Sequence, residues 1–353
     1  MWLELRDAVR RFGERRAMDG VSFALEEGEI GCLLGPSGCG KTTALRCIAG
    51  LETLDAGAIL SQRRMLVGPR VHVPPHERGI GLVFQDHALF PHLTARGNVE
   101  FGLQHLPRPE RSTRATAMLE LVGLGDCADA YPSRLSGGQQ QRVAVARALA
   151  PGPSTLLLDE PFSSLDAALR ERLVGELRTL LKAVGATALV VTHDQQDAFA
   201  LADRVGLMRD GRLEQWATPY DLYHRPVSRF VAEFVGQASF LPACCAGGAL
   251  QTELGPLREG HADTACGGEV DVLLRPDDIV HDDLAPLRAR IVERVFRGAD
   301  FLYTLELPSG RRVLSLVPSH HDHRIGELIG LRLASDHVVT FPPTRAVSGA
   351  GGT

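Results

Sequence analysis

Gly35-Pro36-Ser37-Gly38-Cys39-Gly40-Lys41-Thr42-Thr43 is the strongest local motif in this 353-residue chain. It follows the apolar run Ile30–Leu34 and precedes a segment with helical spacing at 42–49. Glycines before a helix let backbone amides turn toward phosphate oxygens, and a Lys and a hydroxyl group add contacts to phosphate and Mg²⁺. Lys and Arg together number 38, of which only Lys41 and Lys182 are lysines, so a Lys here calls for a chemical explanation. We predict a nucleotide site at this loop.

A second motif, Leu156-Leu-Leu-Asp159-Glu160-Pro161, ends an apolar run with two carboxylates. An Asp at the end of a buried strand holds Mg²⁺ in P-loop enzymes, and a neighbouring Glu is placed to take a proton from an attacking water. An acidic pair that caps the next helix is the competing interpretation. Beside a phosphate-binding loop, the pair indicates hydrolysis of the bound nucleotide.

A third motif, Leu135-Ser136-Gly137-Gly138-Gln139, opens a segment with helical spacing that continues to Ala150. A Ser hydroxyl and Gly amides at a helix N-terminus form a second anion cradle, although a simple capped helix start has the same pattern. Two cradles on one chain cannot easily grip one γ-phosphate. The pattern therefore predicts that each nucleotide lies between two copies of the chain.

With these three motifs in this order and spacing, residues 1 to about 236 resemble the ATP-binding subunits of ABC transporters. The resemblance implies that Mg-ATP is bound between two head-to-tail copies and hydrolysed. It also implies that Phe12 stacks on adenine, that Gln85 contacts Mg²⁺ and the attacking water, and that His193 contacts the γ-phosphate. Asp166, at the end of Ser163-Ser-Leu-Asp166, would carry communication between the two copies.

The site residues implied in this way fall into three groups. The catalytic residues are Glu160, His193, Gln85 and Lys41. The ATP-binding residues are Phe12, Gly35, Pro36, Ser37, Gly38, Cys39, Gly40, Lys41, Thr42, Thr43, Ser136, Gly137, Gly138 and Gln139. The Mg²⁺ ligands are Thr42, Gln85 and Asp159. The cofactors are thus ATP and Mg²⁺, and no motif of the catalytic set is missing.

The patterning predicts an α/β fold of two domains and a tail. Strand-like runs alternate with helical segments in residues 1–236, which predicts a parallel sheet covered on both faces, with a helical subdomain at about 88–150. Short β-like runs then dominate residues 237–345, and this part resembles the small OB-like (TOBE-type) accessory domain of importer ATPases. Residues 346–353 form a Gly-rich, flexible tail.

The substrate and the partners come from the resemblance alone. The sequence motifs are most like those of ferric-iron importer subunits, but polyamine, sulfate, phosphonate and sugar importers share most of these motifs. The resemblance implies a homodimer, separate transmembrane permease subunits, and a periplasmic or extracellular substrate-binding protein. It places the chain peripherally on the cytoplasmic face of the cell (inner) membrane.

Composition excludes several other classes of protein. A net charge of −5 and a pI near 6.2 argue against a general nucleic-acid clamp. No run approaches 18 uncharged apolar residues, so we expect no membrane-spanning helix. Three further classes are disfavoured by the motifs. A DNA-repair ATPase would carry a long coiled coil before the third motif, and a ribosome-associated factor would usually carry two cassettes, whereas this sequence shows no heptads there and one cassette. A β-rich binding module with a vestigial nucleotide site would have a broken catalytic set, and here the set is complete.

Cysteine and histidine clusters leave alternatives open. The spacing of the seven cysteines fits no disulfide framework, which favours a reducing compartment, and the helix N-terminus should make the Cys39 thiol reactive. Cys244-Cys245 with Cys266 either binds metal, senses redox state or is incidental. His320-His321-Asp322-His323 is either a metal-binding segment or an exposed loop.

Overall fold

The chain forms two compact units, Met1–Pro219 and Tyr220–Thr353. The structure is a computed structural model that describes residues 1–163, 166–246, 249–258, 268–334 and 338–343. The break falls before the boundary expected at 236, because the buried Arg275 donates hydrogen bonds to the carbonyls of Tyr223, Ala232 and Gln237. The segment that follows residue 219 therefore folds onto the second unit. The predicted tail, 346–353, lies outside the described residues.

The first unit alternates strands with helices. Its strands are β1 Leu3–Phe12, β2 Arg15–Leu25, β3 Ile30–Leu34, β4 Ala56–Ser61, β5 Arg64–Gly68, β6 Val71–His72, β7 Ile80–Val83, β8 Thr155–Asp159, β9 Thr187–Val191, β10 Arg204–Arg209 and β11 Arg212–Ala217. Its helices are α1 Lys41–Ala49, α2 Ala95–Phe101, α3 Arg108–Leu121, α4 Gly137–Leu149, α5 Ala167–Ala183, α6 Gln195–Leu201 and the start of α7 Pro219–His224.

A six-stranded sheet with the order β11-β10-β3-β9-β8-β7 forms the centre of this unit, and all its pairs except β10–β11 are parallel. Alternate residues of β8 pack on opposite faces: Leu157 lies in the cluster with α1, and Leu156 and Leu158 lie in the cluster with α4 and α5. Every residue of β3, β8 and β9 is buried because helices cover both faces. The predicted parallel α/β sheet is confirmed.

The carboxyl ends of the parallel strands position the site. Parallel strands end at the same edge of a sheet, which is where open α/β proteins bind ligands. The phosphate-binding loop follows β3, Gln85 lies just after β7, Asp159 ends β8, and His193 lies just after β9. Residues far apart in the sequence thus reach one edge.

Two further substructures complete the first unit. An antiparallel sheet with the order β2-β1-β4-β5-β6 carries Phe12 at the end of β1. Helices α2, α3 and α4 pack around a separate apolar cluster that includes Val99, Leu119 and Val143. The segment predicted to be mainly helical thus contains three helices, and the last of them begins at the third motif.

The second unit is mostly antiparallel β-structure. After α7 and α8 Arg229–Phe234, its strands are β12 Ser239–Ala246, β13 Ala249–Thr252, β14 Gly255–Arg258, β15 Glu269–Leu274, β16 Ile279–His281, β17 Arg288–Phe296, β18 Asp300–Glu306, β19 Arg312–Pro318, β20 Leu328–Leu333 and β21 Val339–Phe341. Two five-stranded sheets, β14-β13-β12-β15-β21 and β16-β20-β17-β18-β19, share one core that includes Leu241, Val272, Ile291, Tyr303 and Ile329. The β-rich, barrel-like fold expected for this region is confirmed.

In the described parts of the chain, no helix has the length and apolarity needed to cross a lipid bilayer.

Candidate nucleotide site

Three glycines of the phosphate-binding loop have positive φ angles: 147° at Gly35, 78° at Gly38 and 107° at Gly40. A Cβ atom on Gly40 would lie 2.0 Å from the carbonyl oxygen of Ala17, and one on Gly35 would lie 2.2 Å from that of Met208. Only glycine tolerates both this backbone and this closeness. The loop is therefore pressed against β2 and β10.

Lys41 lies at the start of α1 with only 5% of its surface exposed. Its ammonium group donates hydrogen bonds to the carbonyl oxygens of Gly35 at 2.7 Å and Pro36 at 3.0 Å. These carbonyls hold the positive charge inside the loop, where a phosphate oxygen can pair with it.

Thr42 and Asp159 meet across the gap between α1 and β8. The Thr42 hydroxyl donates to Asp159 Oδ1 at 3.1 Å, and burial raises the pKa of the Asp159 carboxyl. A hydroxyl oxygen beside a carboxylate is the kind of donor pair that Mg²⁺ prefers. The residues expected to hold Mg²⁺ at this position therefore fit that ion.

Glu160 is held in an unusual backbone conformation, with φ at 44°. Its amide donates to the carbonyl of Val191 on the neighbouring strand β9 at 2.9 Å. This contact brings Glu160 Oε2 within 3.1 Å of His193 Nδ1. A non-glycine residue in the left-handed region costs about 1–3 kcal/mol and tends to persist at functional sites.

Gln85 is connected to Glu160 through two hydrogen bonds, with the Ser163 hydroxyl between them. Its side-chain amide donates to the Ser163 hydroxyl at 3.4 Å, and that hydroxyl donates to the carbonyl of Glu160 at 3.1 Å. Asp166 caps α5 by accepting a hydrogen bond from the Leu169 amide at 3.0 Å. Residues 164 and 165, between Ser163 and Asp166, lie outside the described residues.

A cavity of about 440 Å³ lies over the phosphate-binding loop and the start of α1, and the described residues that line it do not include Asp159, Gln85 or His193. It is lined by Phe12, Arg15, Ala17, Ser37, Gly38, Gly40, Lys41, Thr42, Thr43 and Glu160. Phe12 is 46% exposed, and the Arg10 guanidinium lies 4.6 Å from its ring centroid. An exposed aromatic ring at the rim of a phosphate-binding cavity is suited to stack on a base.

Sequence reasoning missed Arg15. Its guanidinium donates to the Gly38 carbonyl at 2.6 Å, and the residue lines the same cavity as Lys41. It adds positive charge that favours a polyphosphate. Its position three residues after Phe12, at the start of β2, was the available signal.

The third motif lies apart from this cavity. Ser136 caps α4: its hydroxyl accepts from the Gln139 amide at 3.3 Å, and its own amide donates to Gln139 Oε1 at 2.9 Å. Gly138 is buried against Leu173, whereas Ser136 and Gly137 are exposed. Among the described residues, those that line the phosphate-binding cavity do not include 136–139. One chain therefore presents two incomplete anion sites.

Cys39 differs from its expected reactivity. The structure places its side chain in the core, 4% exposed, with Sγ 3.7 Å from Lys41 Nζ. The expectation of an accessible thiol is wrong, because the loop turns this side chain inward, where it packs in the core. Cys244 is exposed and free, Cys245 is disulfide-bonded against the expectation of no disulfide framework, and Cys266 lies outside the described residues.

We therefore expect a maleimide to label Cys244 in the folded chain and to label Cys39 only after denaturant is added. Burial of the Cys39 thiol blocks the approach of the reagent. Mass spectrometry of peptides from native and denatured samples measures both sites in one experiment, with Cys244 as the internal control. Complete labelling of Cys39 in native protein would contradict the buried position.

Asp197, on α6 behind His193, gives the site a pH-dependent stability. Burial, followed by repulsion from Asp194, raises the pKa of this carboxyl to about 6 against an opposing effect of Arg170. A carboxyl whose folded-state pKa is raised destabilises the fold as pH rises between its unfolded value, 3.8, and about 6.

Asp197→Asn should remove this pH-dependent destabilisation of the fold. At pH 8 we expect the free energy of unfolding to rise by on the order of 2 kcal/mol, with the gain vanishing below about pH 4. Urea unfolding at several pH values measures it, and Asp126→Asn, at an exposed carboxyl, is the control. A gain that does not depend on pH would contradict the assignment.

Comparisons with known proteins show the family of both units. The model of the ABC transporter family matches residues 18–163, and that of the TOBE domain matches residues 272–341. The Fe(3+) ions import ATP-binding protein FbpC of Streptomyces coelicolor is 43% identical over 344 residues, 96% of this chain and 97% of that protein. The sulfate/thiosulfate import ATP-binding protein CysA 2 of Chromobacterium violaceum is 46% identical over 305 residues, 84% of this chain and 82% of that protein.

A solved structure shares the fold of the first unit. It is a dimeric, post-hydrolysis state of an ATP-binding cassette bound to ADP and Pi, 33% identical, with a TM-score of 0.53 over 62% of this chain and 98% of that one. The relatives from Streptomyces coelicolor and Chromobacterium violaceum match along most of their own length. The chain belongs to the ABC transporter family as one of its ATP-binding subunits, and it is an ATPase.

Proposed function

We propose that this chain is the ATP-hydrolysing motor of an ABC importer and that it works as a homodimer. The observation that carries the proposal is the separation of its two anion sites, the phosphate-binding cavity and the Ser136 cradle, on one chain. In a head-to-tail pair, residues 136–139 of one copy would close the cavity of the other. The dimeric cassette with ADP and Pi supports this arrangement.

In the proposed mechanism, the chain's own residues divide the work. Phe12 stacks on the base, and the amides of the phosphate-binding loop and Lys41 hold the phosphates. Glu160 takes the proton of the attacking water, a contribution of about 10²–10⁴ in rate. His193, 3.1 Å from Glu160, orients that carboxylate and senses the γ-phosphate.

Mg²⁺ would be held by the Thr42 hydroxyl, Asp159 and Gln85. When bound, it would supply positive charge that offsets the negative charge developing in phosphoryl transfer. The relay from Gln85 through Ser163 to Glu160 gives the chain a route by which the state of the nucleotide can reach the protein surface, since Gln85 is exposed.

The partners we propose are transmembrane permease subunits and a periplasmic or extracellular substrate-binding protein. The chain would then act peripherally, on the cytoplasmic face of the inner membrane. The substrate we favour is ferric iron, supported by the relative from Streptomyces coelicolor that matches 97% of its own length. Sulfate is the second candidate, because the relative from Chromobacterium violaceum has similar identity.

The test is a reconstituted transporter in lipid vesicles, with the chain, its permease and its binding protein. We expect the ferric-loaded binding protein to stimulate ATP hydrolysis and iron uptake, and the sulfate-loaded form to do neither. Stimulation by the sulfate-loaded form alone would change the proposed substrate to sulfate and leave the assignment as an importer ATPase unchanged. Hydrolysis with no dependence on permease or binding protein would contradict the importer assignment.

A further inference from the structure

Three histidines converge at one end of the second unit. His281 ends β16, while His321 and His323 lie in the loop between β19 and β20. One ring nitrogen of each lies within 4.8 Å of the other two. The sequence shows only the cluster at 320–323; His281 joins it because β16 pairs with β20, with His281 opposite Leu331.

A core residue fixes the loop that carries two of these rings. Tyr303 on β18 is fully buried, and its hydroxyl donates to the His321 carbonyl at 2.9 Å and accepts from the His323 amide at 3.0 Å. Both histidines are therefore attached to the β core through one side chain. The loop is irregular and largely exposed, but this one contact fixes its backbone at both histidines.

Carboxylates orient two of the three rings. His281 Nε2 lies 3.0 Å from Asp283 Oδ1, and His323 Nδ1 lies 3.0 Å from Glu327 Oε1. A histidine that binds a metal through one ring nitrogen almost always donates a hydrogen bond from the other to such a partner. This bond fixes the orientation of the ring and raises the basicity of the histidine. The opposite nitrogens, Nδ1 of His281 and Nε2 of His323, are then left to face a ligand.

The cluster also contains buried imidazole atoms. The His281 side chain is only 6% exposed. His323 Nε2 is buried and has no hydrogen-bond partner among the described residues. A buried polar atom without a partner is costly, and a bound ion at the centre of the cluster would satisfy it.

We propose that His281, His321 and His323 bind one divalent first-row transition-metal ion, with Zn²⁺ the best match. Three imidazoles suit Zn²⁺, Cu²⁺, Ni²⁺ and Fe²⁺, whereas Mg²⁺ and Ca²⁺ prefer oxygen donors. Zn–N bonds of 2.0–2.1 Å place tetrahedral nitrogens about 3.3 Å apart. Small ring rotations therefore close the site, which leaves a fourth position for water.

This centre shares none of its described residues with the nucleotide site. Its residues all belong to the second unit, and none of them was assigned a role in ATP binding. Bound metal ties β16 to the β19–β20 loop, so it stabilises this unit against unfolding. The second unit would thus depend on the cellular supply of a transition metal.

The test uses the full chain, without a polyhistidine tag and stripped of metal, titrated with ZnCl₂ in a calorimeter. We expect one Zn²⁺ per chain in the parent protein and a loss of at least 100-fold in affinity in His321→Gln and His281→Gln. Glu327→Gln should weaken binding about 10–100-fold, as expected for the orienting partner of a ligand. Titration with Co²⁺ adds a readout, because d–d absorption bands report the geometry.

His320→Gln is the matched control, since this neighbouring ring lies outside the three-histidine set. It should bind Zn²⁺ like the parent, with circular dichroism showing that every variant is folded. Equal loss of binding in His320→Gln and His321→Gln, or no stoichiometric binding by the folded parent, would overturn the proposal. ATP hydrolysis plays no part in these measurements, so the result is independent of the proposed transport function.

Discussion

Glu160→Gln will lower the rate of ATP hydrolysis by a factor of about 10² or more and leave ATP binding intact. The amide has the shape of the carboxylate but cannot accept the proton of the attacking water. Because the Lys41 and Thr42 contacts are untouched, the nucleotide should stay bound and hold the two copies together. Single-turnover hydrolysis and binding of a fluorescent ATP analogue separate the two effects.

The matched control is Glu171→Gln, an exposed carboxylate on α5. It makes the same chemical change away from the cavity and should hydrolyse ATP like the parent. Near-parental turnover in Glu160→Gln would rule out Glu160 as the base. The proton would then have to leave through another group, and His193 would be the first to test.

Ser136→Arg should abolish steady-state hydrolysis while each copy still binds ATP. Ser136 is exposed and lies outside the phosphate-binding cavity of its own chain, so the substitution leaves that cavity unchanged. A bulky cation in place of the hydroxyl removes the α4 cap and blocks the contact to the partner's phosphate. We expect a loss of about 10² or more in rate, in line with removal of one transition-state donor.

A Thr113→Arg variant controls for the added charge, because it places the same side chain on an exposed position of α3 in the same helical segment. It should hydrolyse ATP normally. A Ser136→Arg chain that is as active as the parent would mean that the second cradle has no catalytic part.

The sequence predicted the centre of the fold well, for a physical reason. Strands β3, β8 and β9 are buried on both faces, so they appear as continuous apolar runs, and the acidic pair and His193 follow directly from where such strands end. The hairpin β10–β11 was missed, although its turn, Asp210-Gly211, has the positive φ angles of 48° and 81° that this dipeptide favours. Strand β12 was missed because Pro242 and its small neighbours have low β-propensity.

Other features depend on tertiary contacts that no local pattern contains. Cys39 was expected to be reactive because it lies at a helix N-terminus, but which side of the loop its thiol faces depends on packing against the core. The histidine cluster could be only half predicted, since His281 reaches it through strand pairing. The contact of Arg15 with Gly38 likewise depends on how β2 packs against the phosphate-binding loop.

The central claim is that each nucleotide site is shared by two copies, and mixing two inactive variants tests it most directly. Ser136→Arg keeps an intact phosphate-binding loop, and Lys41→Ala keeps an intact Ser136 cradle, so a mixed dimer has one complete site. Random pairing makes half of the dimers mixed, and independent sites would then restore about a quarter of the parental ATPase rate. We expect activity to recover on mixing, in proportion to the fraction of mixed dimers measured by native mass spectrometry. Activity that stays at the level of the separate variants, although mixed dimers form, would contradict it.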